Sequence, residues 1–310
     1  MLPEGCSRID FRDPKIWKEN DTYYLIVGNK NDNQVGQVVL CSSKNLTDWK
    51  FETILASNEN GDIGTMWECP DFFALKDKHV LICSPQDMKA RKYEFHNGHN
   101  SVYFLGDYDA NRCRFSKEQP HTLDYGMDFY APQTTELPDG RRIMIAWMKS
   151  WDACVIPNSQ DWQGMMTFPR ELEIKENRIW QNPVKELENY HQNPCCYEHA
   201  EIEGETVLAG VEGRTIDLTV TLEDGENTIF SINWQQIASM KRVIPIIRNQ
   251  NFWKSTVHTA VLQKMWYVYE NSELRIRQGL KRCVLSWIII RSNFLLMMDS
   301  RRRPLQSVRL

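Results

Sequence analysis

The chain has 310 residues, of which 42% are hydrophobic and 25% charged, as in an ordinary soluble globular protein of one or two domains. It contains no apolar run of 18 residues, which argues against a membrane-spanning helix. Its nine cysteines form no Cys-x-x-Cys pair, which argues against a zinc ribbon or a disulfide framework and predicts reduced thiols in the cytoplasm.

Short apolar runs separated by polar turns dominate the first 180 residues, and few stretches have the period of a helix. Runs rich in aromatic and β-branched residues, bounded by turn residues, predict strands. The clearest of these runs are residues 23–28, 37–42, 72–75, 79–84, 101–106 and 142–147. The chain is therefore predicted to be all-β.

A weak repeat divides these runs into units. Each unit opens on a dipeptide that contains proline and continues through a polar turn into a strongly apolar strand. The openers lie roughly 60 residues apart and are Asp13-Pro14, Pro70-Asp71 and Pro132-Gln133. Four-stranded blades arranged radially make a β-propeller, so residues 1–182 are predicted to form about three blades of a partial propeller.

Residues 183–194, bracketed by two Asn-Pro dipeptides, are predicted to form a linker. Beyond it, polar and apolar residues alternate in Arg214–Leu222 and again in Thr228–Ile232, as in half-buried strands. We interpret residues 195–244 as the start of an incomplete β-sandwich. The alternation ends near Val243, so residues 245–310 need a separate explanation.

The stretch from Trp67 to Asp71 carries the most suggestive chemistry in the sequence. Glu68 follows an aromatic residue and precedes Cys69-Pro70, and the proline favours an extended backbone. Trp67 could desolvate the Glu68 carboxyl, which would favour the protonated form that a general acid needs near neutral pH. The alternative from these residues alone is a surface glutamate beside a core tryptophan.

Three stretches, Phe11–Pro14, Trp67–Asp71 and Tyr130–Thr134, together resemble glycoside hydrolase family 32 in their order and spacing. This family contains invertases, sucrose-6-phosphate hydrolases and fructan hydrolases. Trp147–Trp151 and Trp162–Leu172 look like its later propeller segments, and the likeness extends over about residues 8–243. We expect the tryptophans of these later segments to pack in the core.

The resemblance implies a five-bladed propeller followed by a β-sandwich, with the sugar bound in the axial pocket of the propeller. It also implies retaining hydrolysis of terminal β-fructofuranosyl bonds in sucrose, sucrose 6-phosphate or fructans, without a metal or other cofactor. This chemistry needs a carboxylate nucleophile and a protonated carboxyl about 5–5.5 Å away. Glu68 matches the general acid/base of the family, and Asp13 matches the acid that grips fructosyl hydroxyls and stabilises the transition state.

The other motif residues are expected to bind the substrate. Arg12 would orient the carboxylates through charge-assisted hydrogen bonds. Tyr130 and Gln133 would line the pocket, together with Trp67 and Cys69 beside the acid. Without the resemblance, the acid of the first opener could equally be a turn residue before a proline.

One feature of the family is missing from these residues. The family's nucleophile is an aspartate in a Trp-Met-Asn-Asp-Pro-Asn-Gly motif about two blades upstream, and the 310 residues contain no such motif. We therefore expect an N-terminally truncated chain that lacks the nucleophile and is inactive alone. A separate N-terminal fragment is the protein partner that would complement it.

The end of the chain is strongly basic. Residues 241–310 hold 14 Lys and Arg against 3 Asp and Glu, although the whole chain has a net charge of −4. Back-translation of residues 287–302 in a shifted frame can give MDNYSIELFINDGQQA, which looks like the C-terminal sandwich of the family. We infer a base lost near Pro245 and a frame-shifted tail, residues 245–310, without a native fold. The alternative is a genuine extension that binds nucleic acid or an anionic membrane, neither of which we expect as a partner.

Two further functions stay open at this point. A non-catalytic module could keep the pocket without a nucleophile and bind fructosides. A different five-bladed propeller glycosidase, of the arabinan- or xylan-degrading type, would share the fold but act on another substrate.

Overall fold

The protein is described from a computed structural model. The chain divides into two compact units, Met1–Val184 and Lys185–Leu310. The structure describes residues 3–91, 94–95, 98–125, 129–151, 165–197, 209, 216–220, 229–237, 240–249, 252–257, 270–275, 283–284 and 305–309. The finer domain boundaries expected from the sequence, including the linker at residues 183–194, stay predictions.

The first unit consists of antiparallel strands in three consecutive sheets. The first sheet contains β1 (Phe11–Glu19), β2 (Thr22–Lys30), β3 (Gly36–Ser43) and β4 (Lys50–Ser57). The second contains β5 (Trp67–Leu75), β6 (Lys78–Pro85), β7 (Val102–Asp109), β8 (Arg114–Lys117) and the short β9 (His121–Thr122). The third contains β10 (Tyr130–Glu136), β11 (Arg142–Trp147), β12 (Arg170–Lys175) and β13 (Arg178–Pro183).

These strands confirm the all-β prediction for the first unit. Every apolar run that predicted a strand lies inside one, apart from Ser101, which precedes β7. Each of the three openers lies in the first strand of a sheet, namely β1, β5 or β10. The weak repeat in the sequence therefore marks the beginning of each sheet.

The first strand of each sheet is irregular at its opener. Pairing with the neighbouring strand shifts register within β1, β5 and β10, as at a β-bulge. Within each shift, the residue before proline has a left-handed backbone, with φ of 60° at Asp13, 48° at Cys69 and 51° at Ala131. A bulge adds a residue to one strand and breaks the strict alternation of side chains, so it can redirect them. The three first strands contact one another, β5 touching both β1 and β10.

Two apolar clusters hold the three sheets together. The first lies between the first and second sheets and includes Ile26, Leu40, Trp67, Phe72 and Phe104. The second lies between the second and third sheets and includes Phe73, Ile82, Leu105, Met144 and Leu172. Each large side chain buried in this way contributes about 1.5–3 kcal/mol relative to its exposed state.

Two glycines of the first sheet make room for Trp67. A Cβ at Gly28 would lie 2.3 Å from the carbonyl oxygen of Trp67, and a Cβ at Gly36 would lie 2.6 Å from Cδ1 of its indole. No side chain fits at either distance, so these glycines allow β2 and β3 to approach the start of β5. This close approach fixes the position of the beginning of β5, and with it the position of Glu68.

The second unit begins with a short 3₁₀ helix at Lys185–Tyr190. One of its four-stranded sheets contains β14 (His191–Cys196), β15 (Ile216–Val220), β20 (Cys283–Val284) and β21 (Leu305–Arg309). The other contains β16 (Ile229–Ile237), β17 (Met240–Asn249), β18 (Phe252–Val257) and β19 (Glu270–Arg275). The strands predicted around residues 214–222 and 228–232 are thus found, and the sandwich itself stays a prediction.

The fold bears on three expectations from the sequence. Trp151 is 66% exposed and stacks edge-on against Trp147 at 5.3 Å, so the expectation of core packing is wrong for Trp151, which follows the end of β11. Trp162 lies outside the described residues. Strands β18 to β21 lie within residues 245–310, where a frame-shifted tail without a native fold was expected; both the shifted frame and the missing native fold stay predictions. None of the described helices is long and apolar enough to cross a membrane.

We expect Gly36→Ala to destabilise the first unit by about 1–3 kcal/mol, because the new methyl group meets the buried Trp67 ring. Thermal or urea unfolding followed by circular dichroism measures the loss. Adding Trp67→Phe should recover part of it, since the two sites are in contact and their effects are not additive. A Gly36→Ala variant as stable as the parent chain would contradict this packing argument.

Candidate active site

The bulges of β1, β5 and β10 bring three polar side chains together. Glu68 of β5 is buried, with 9% of its surface exposed. Its Oε1 accepts a hydrogen bond from Nη1 of Arg12 in β1 at 3.0 Å, and its Oε2 accepts one from the hydroxyl of Tyr130 in β10 at 2.7 Å. Groups from two other sheets therefore hold both oxygens of one carboxyl group.

Tyr130 approaches Glu68 from inside the protein. Its ring is buried and lies edge-on to His99, with the ring centres 5.9 Å apart. Burial, and then the hydrogen bond and charge of Glu68, raise the pKa of Tyr130, so the hydroxyl keeps its proton. The same hydroxyl lies 3.2 Å from the carbonyl oxygen of Ser84.

The Tyr130 hydroxyl lies within reach of two acceptors, Oε2 of Glu68 and the Ser84 carbonyl oxygen. This arrangement suits a carboxyl that changes its protonation state. Towards an ionised Glu68, the Tyr130 hydroxyl donates its one proton to Oε2. Towards a protonated Glu68, it can turn to donate to the Ser84 carbonyl and accept from the carboxylic acid, because a hydroxyl both donates and accepts. Both forms of the carboxyl therefore find partners in the same place.

Asp13 is held beside Glu68 by the backbone of β5. Its Oδ2 accepts a hydrogen bond from the Cys69 amide at 3.0 Å and lies 3.5 Å from the Cys69 thiol. Burial, followed by the Asp13 charge, raises the pKa of the Cys69 thiol to about 12. Cys69 is thus a neutral hydrogen-bond donor at ordinary pH and does not act as a nucleophile.

A second set of polar contacts joins the same three strands. Nζ of Lys15 donates to Oε1 of Gln133 at 3.1 Å and to the Thr134 carbonyl at 2.8 Å. The other end of Gln133 donates from Nε2 to the Cys69 carbonyl at 3.1 Å. Asp71 accepts from the Thr134 amide at 2.6 Å and lies 3.4 Å from Lys15 Nζ, while burial raises the pKa of its carboxyl. The exposed Gln133 is therefore fixed at the site by β1 and β5.

Trp67 is the predicted substrate-binding residue that this geometry separates from the others. Its indole has no exposed surface, packs against Phe104 at 5.3 Å and donates its N–H to the Ile63 carbonyl at 2.7 Å. Neighbouring residues in a strand point to opposite faces, so Trp67 enters the core where Glu68 leaves it. Because the Trp67 side chain has no exposed surface, it cannot make the expected contact with a substrate.

Sequence reasoning missed three contributors to the site. Asp10 contacts the Arg12 guanidinium, and its position two residues earlier could have suggested a shared side of the chain. Lys15 follows the first opener, but nothing in the sequence pairs it with β10. The Ser84 group is a backbone carbonyl and leaves no signal in the sequence. Among the described residues, no group of three or more His, Cys, Asp or Glu is arranged to hold a metal ion.

Known proteins resemble the chain in both sequence and structure. The family model for the glycosyl hydrolases family 32 N-terminal domain matches residues 2–183. The sucrose-6-phosphate hydrolase of Escherichia coli is 40% identical over 190 residues, which are 61% of this chain and 39% of that protein. The chain thus spans about two fifths of the length of the curated relatives it matches.

Solved structures show the same fold. A β-fructofuranosidase of this family from Bombyx mori superimposes with a TM-score of 0.69 and 25% identity, covering 88% of this chain and 55% of the other. The sucrose-6-phosphate hydrolase from Lactobacillus gasseri gives a TM-score of 0.71 at 23% identity, covering 89% and 56%. The second likeness supports the fold alone.

We expect the Cys69 thiol to react slowly with iodoacetamide at neutral pH, whereas the exposed Cys196 reacts readily. Asp13→Asn should speed alkylation of Cys69 several-fold, because removing the carboxylate lowers the thiol pKa while the thiol stays buried. Mass spectrometry of the cysteine peptides measures both rates, and Cys196 serves as the internal reference. Equal rates at Cys69 in both chains would contradict the contact between Asp13 and the thiol.

Proposed function

This chain belongs to glycoside hydrolase family 32, and on that premise we propose that its site binds a terminal β-fructofuranosyl group and supplies the acid/base part of retaining hydrolysis. The observation that carries the proposal is the Glu68 carboxyl, held at both oxygens by Arg12 and Tyr130. A general acid must be positioned within hydrogen-bond reach of the leaving oxygen, and such positioning needs a fixed carboxyl.

In the proposed reaction, Glu68 donates its proton to the oxygen of the leaving group and later removes a proton from the attacking water. The Tyr130 hydroxyl follows these changes by alternating between Glu68 and the Ser84 carbonyl. Asp13, oriented by the Cys69 amide, accepts hydrogen bonds from sugar hydroxyls and stabilises the positive charge that develops on the fructosyl ring. Gln133 and Arg12 complete the polar surface around the acid.

The nucleophile that this mechanism needs has no candidate motif among the 310 residues. We therefore propose that this chain binds the sugar but does not by itself complete the double displacement, which requires a carboxylate attacking the sugar carbon. The relatives support a small carbohydrate as ligand, since two of those that match this chain are named for sucrose 6-phosphate and raffinose. Sucrose, sucrose 6-phosphate and a fructan are the candidates.

A non-catalytic fructoside-binding role is the second candidate. The absence of a nucleophile motif among the 310 residues favours it. Glu68 and Asp13 are still present, so the chain keeps residues that can bind a fructoside while the carboxylate needed for reaction is missing. As part of the same proposal the protein works in the cytoplasm, without nucleic acid or membrane as partner. Free thiols at Cys6, Cys41 and Cys83, all buried, fit a reducing compartment.

We expect calorimetric titration of the 310-residue chain with fructose and with sucrose to give measurable heat. Asp13→Ala should abolish it, because the carboxylate that grips the hydroxyls is lost. Asp77→Asn, at an exposed acid in the turn between β5 and β6, is the matched control and should bind as the parent chain does. Absence of heat from the parent chain would overturn the proposed sugar site.

Release of fructose from sucrose or sucrose 6-phosphate is expected to stay at the background rate. A coupled assay for free fructose measures it, with arabinan and xylan oligosaccharides as the panel for the rival glycosidase. Release that Glu68→Gln abolishes would show that the chain supplies its own nucleophile, contrary to the proposal. Release from the arabinan or xylan substrates alone would reassign the substrate class.

A further inference from the structure

The guanidinium group of Arg12 lies between two carboxylates. Its Nη1 donates to Glu68 Oε1 at 3.0 Å, and its Nη2 donates to Oδ1 of Asp10. The two nitrogens thus serve different acids, and the direction of one hydrogen bond depends on the other because the guanidinium is planar and rigid.

Asp10 is anchored from outside the site. Its Oδ2 lies 3.0 Å from Nζ of Lys30 at the end of β2. Its amide donates to the Ser7 hydroxyl at 3.0 Å, and its carbonyl accepts from Nδ2 of Asn29 at 2.5 Å. The first sheet, rather than the substrate pocket, therefore determines where this carboxylate stands.

The anchor is itself well supported. Asn29 is fully buried, and its Oδ1 accepts a hydrogen bond from Gln37 Nε2 at 2.8 Å. The Ser7 amide donates to the Lys30 carbonyl at 3.0 Å, which ties the turn before β1 to the end of β2. Buried polar groups whose hydrogen bonds are made form a rigid support.

Arg12 needs such a support because much of its side chain is open to water. The exposed fraction of this side chain is 36%, whereas that of Glu68 is 12%. A single partly exposed ion pair stabilises a protein only weakly, too little to hold a long side chain in one rotamer. Two ion pairs at the opposite ends of one guanidinium restrict it far more.

We propose that Asp10 is a positioning residue, which holds the Arg12 guanidinium in the orientation that fixes the Glu68 carboxyl. The inference rests on the function proposed above for Glu68, and it assigns to the turn before β1 a part in that site. Asp10 itself acts through Arg12.

The test observes the Arg12 guanidinium by NMR in the full chain labelled with nitrogen-15, with Arg12→Lys identifying its signals. In the parent chain, a guanidinium held at both ends is expected to give separate Nη signals, because rotation about its Cζ–Nε bond is slow. In Asp10→Asn these signals are expected to merge into one averaged set, while the backbone amide spectrum away from the turn is retained. Asp62→Asn, which breaks a comparable ion pair with Arg91, is the matched control and should leave the Arg12 signals separate.

Separate Arg12 signals in Asp10→Asn would overturn the inference, and so would averaged signals in the parent chain. If Asp10→Asn fails to fold, Lys30→Met decides by the same criterion, because it loosens the anchor and leaves Asp10 in place. Restoration of the separate signals by Asp10→Glu would support the role of the carboxylate. The titration with fructose stands apart from this result, since a chain that binds no sugar contradicts the proposed function while the Arg12 signals still decide the positioning role.

Discussion

The site depends on a backbone conformation that recurs in the first strand of each sheet. Asp13, Cys69 and Ala131 each precede a proline and each have a positive φ, where an ordinary residue is strained. Proline removes an amide donor at the next position, so the ladder is interrupted there and the bulge can form. Because the three bulges stand side by side, the side chains before and within them converge from three sheets.

This convergence explains how a buried carboxyl can be both fixed and chemically adaptable. Glu68 accepts hydrogen bonds from the Arg12 guanidinium and from the Tyr130 hydroxyl. These two groups differ in the kinds of hydrogen bond that they can make. Arg12 can only donate, whereas Tyr130 can donate or accept. The Ser84 carbonyl gives the Tyr130 hydroxyl a second partner. Glu68 can therefore gain or lose a proton while this hydroxyl and the carboxyl both keep a hydrogen bond.

The strain at the bulges is offset by packing in the apolar core. Trp67 fills the space that Gly28 and Gly36 leave open, and its indole N–H is hydrogen-bonded within the core. Its backbone is continuous with Glu68, so the same tryptophan that anchors the second sheet sets the position of the acid. The side of the site formed by β1 has its own anchor, in which Asn29 and Lys30 of β2 fix the turn that carries Asp10.

The sequence by itself determined the all-β architecture, the three units and the identity of most polar groups in the site. Strand periodicity and the Asp13-Pro14, Pro70-Asp71 and Pro132-Gln133 openers are local signals, which act within a few residues and can be read directly. The pairing of these groups was decided only by the tertiary structure. Glu68 lies 56 residues from Arg12 and 62 from Tyr130, and no local rule relates residues so far apart. Trp67 and Glu68 are neighbours in sequence, yet one enters the core and the other the site, because a strand sends adjacent side chains to opposite faces and only the packed sheets decide which face is which.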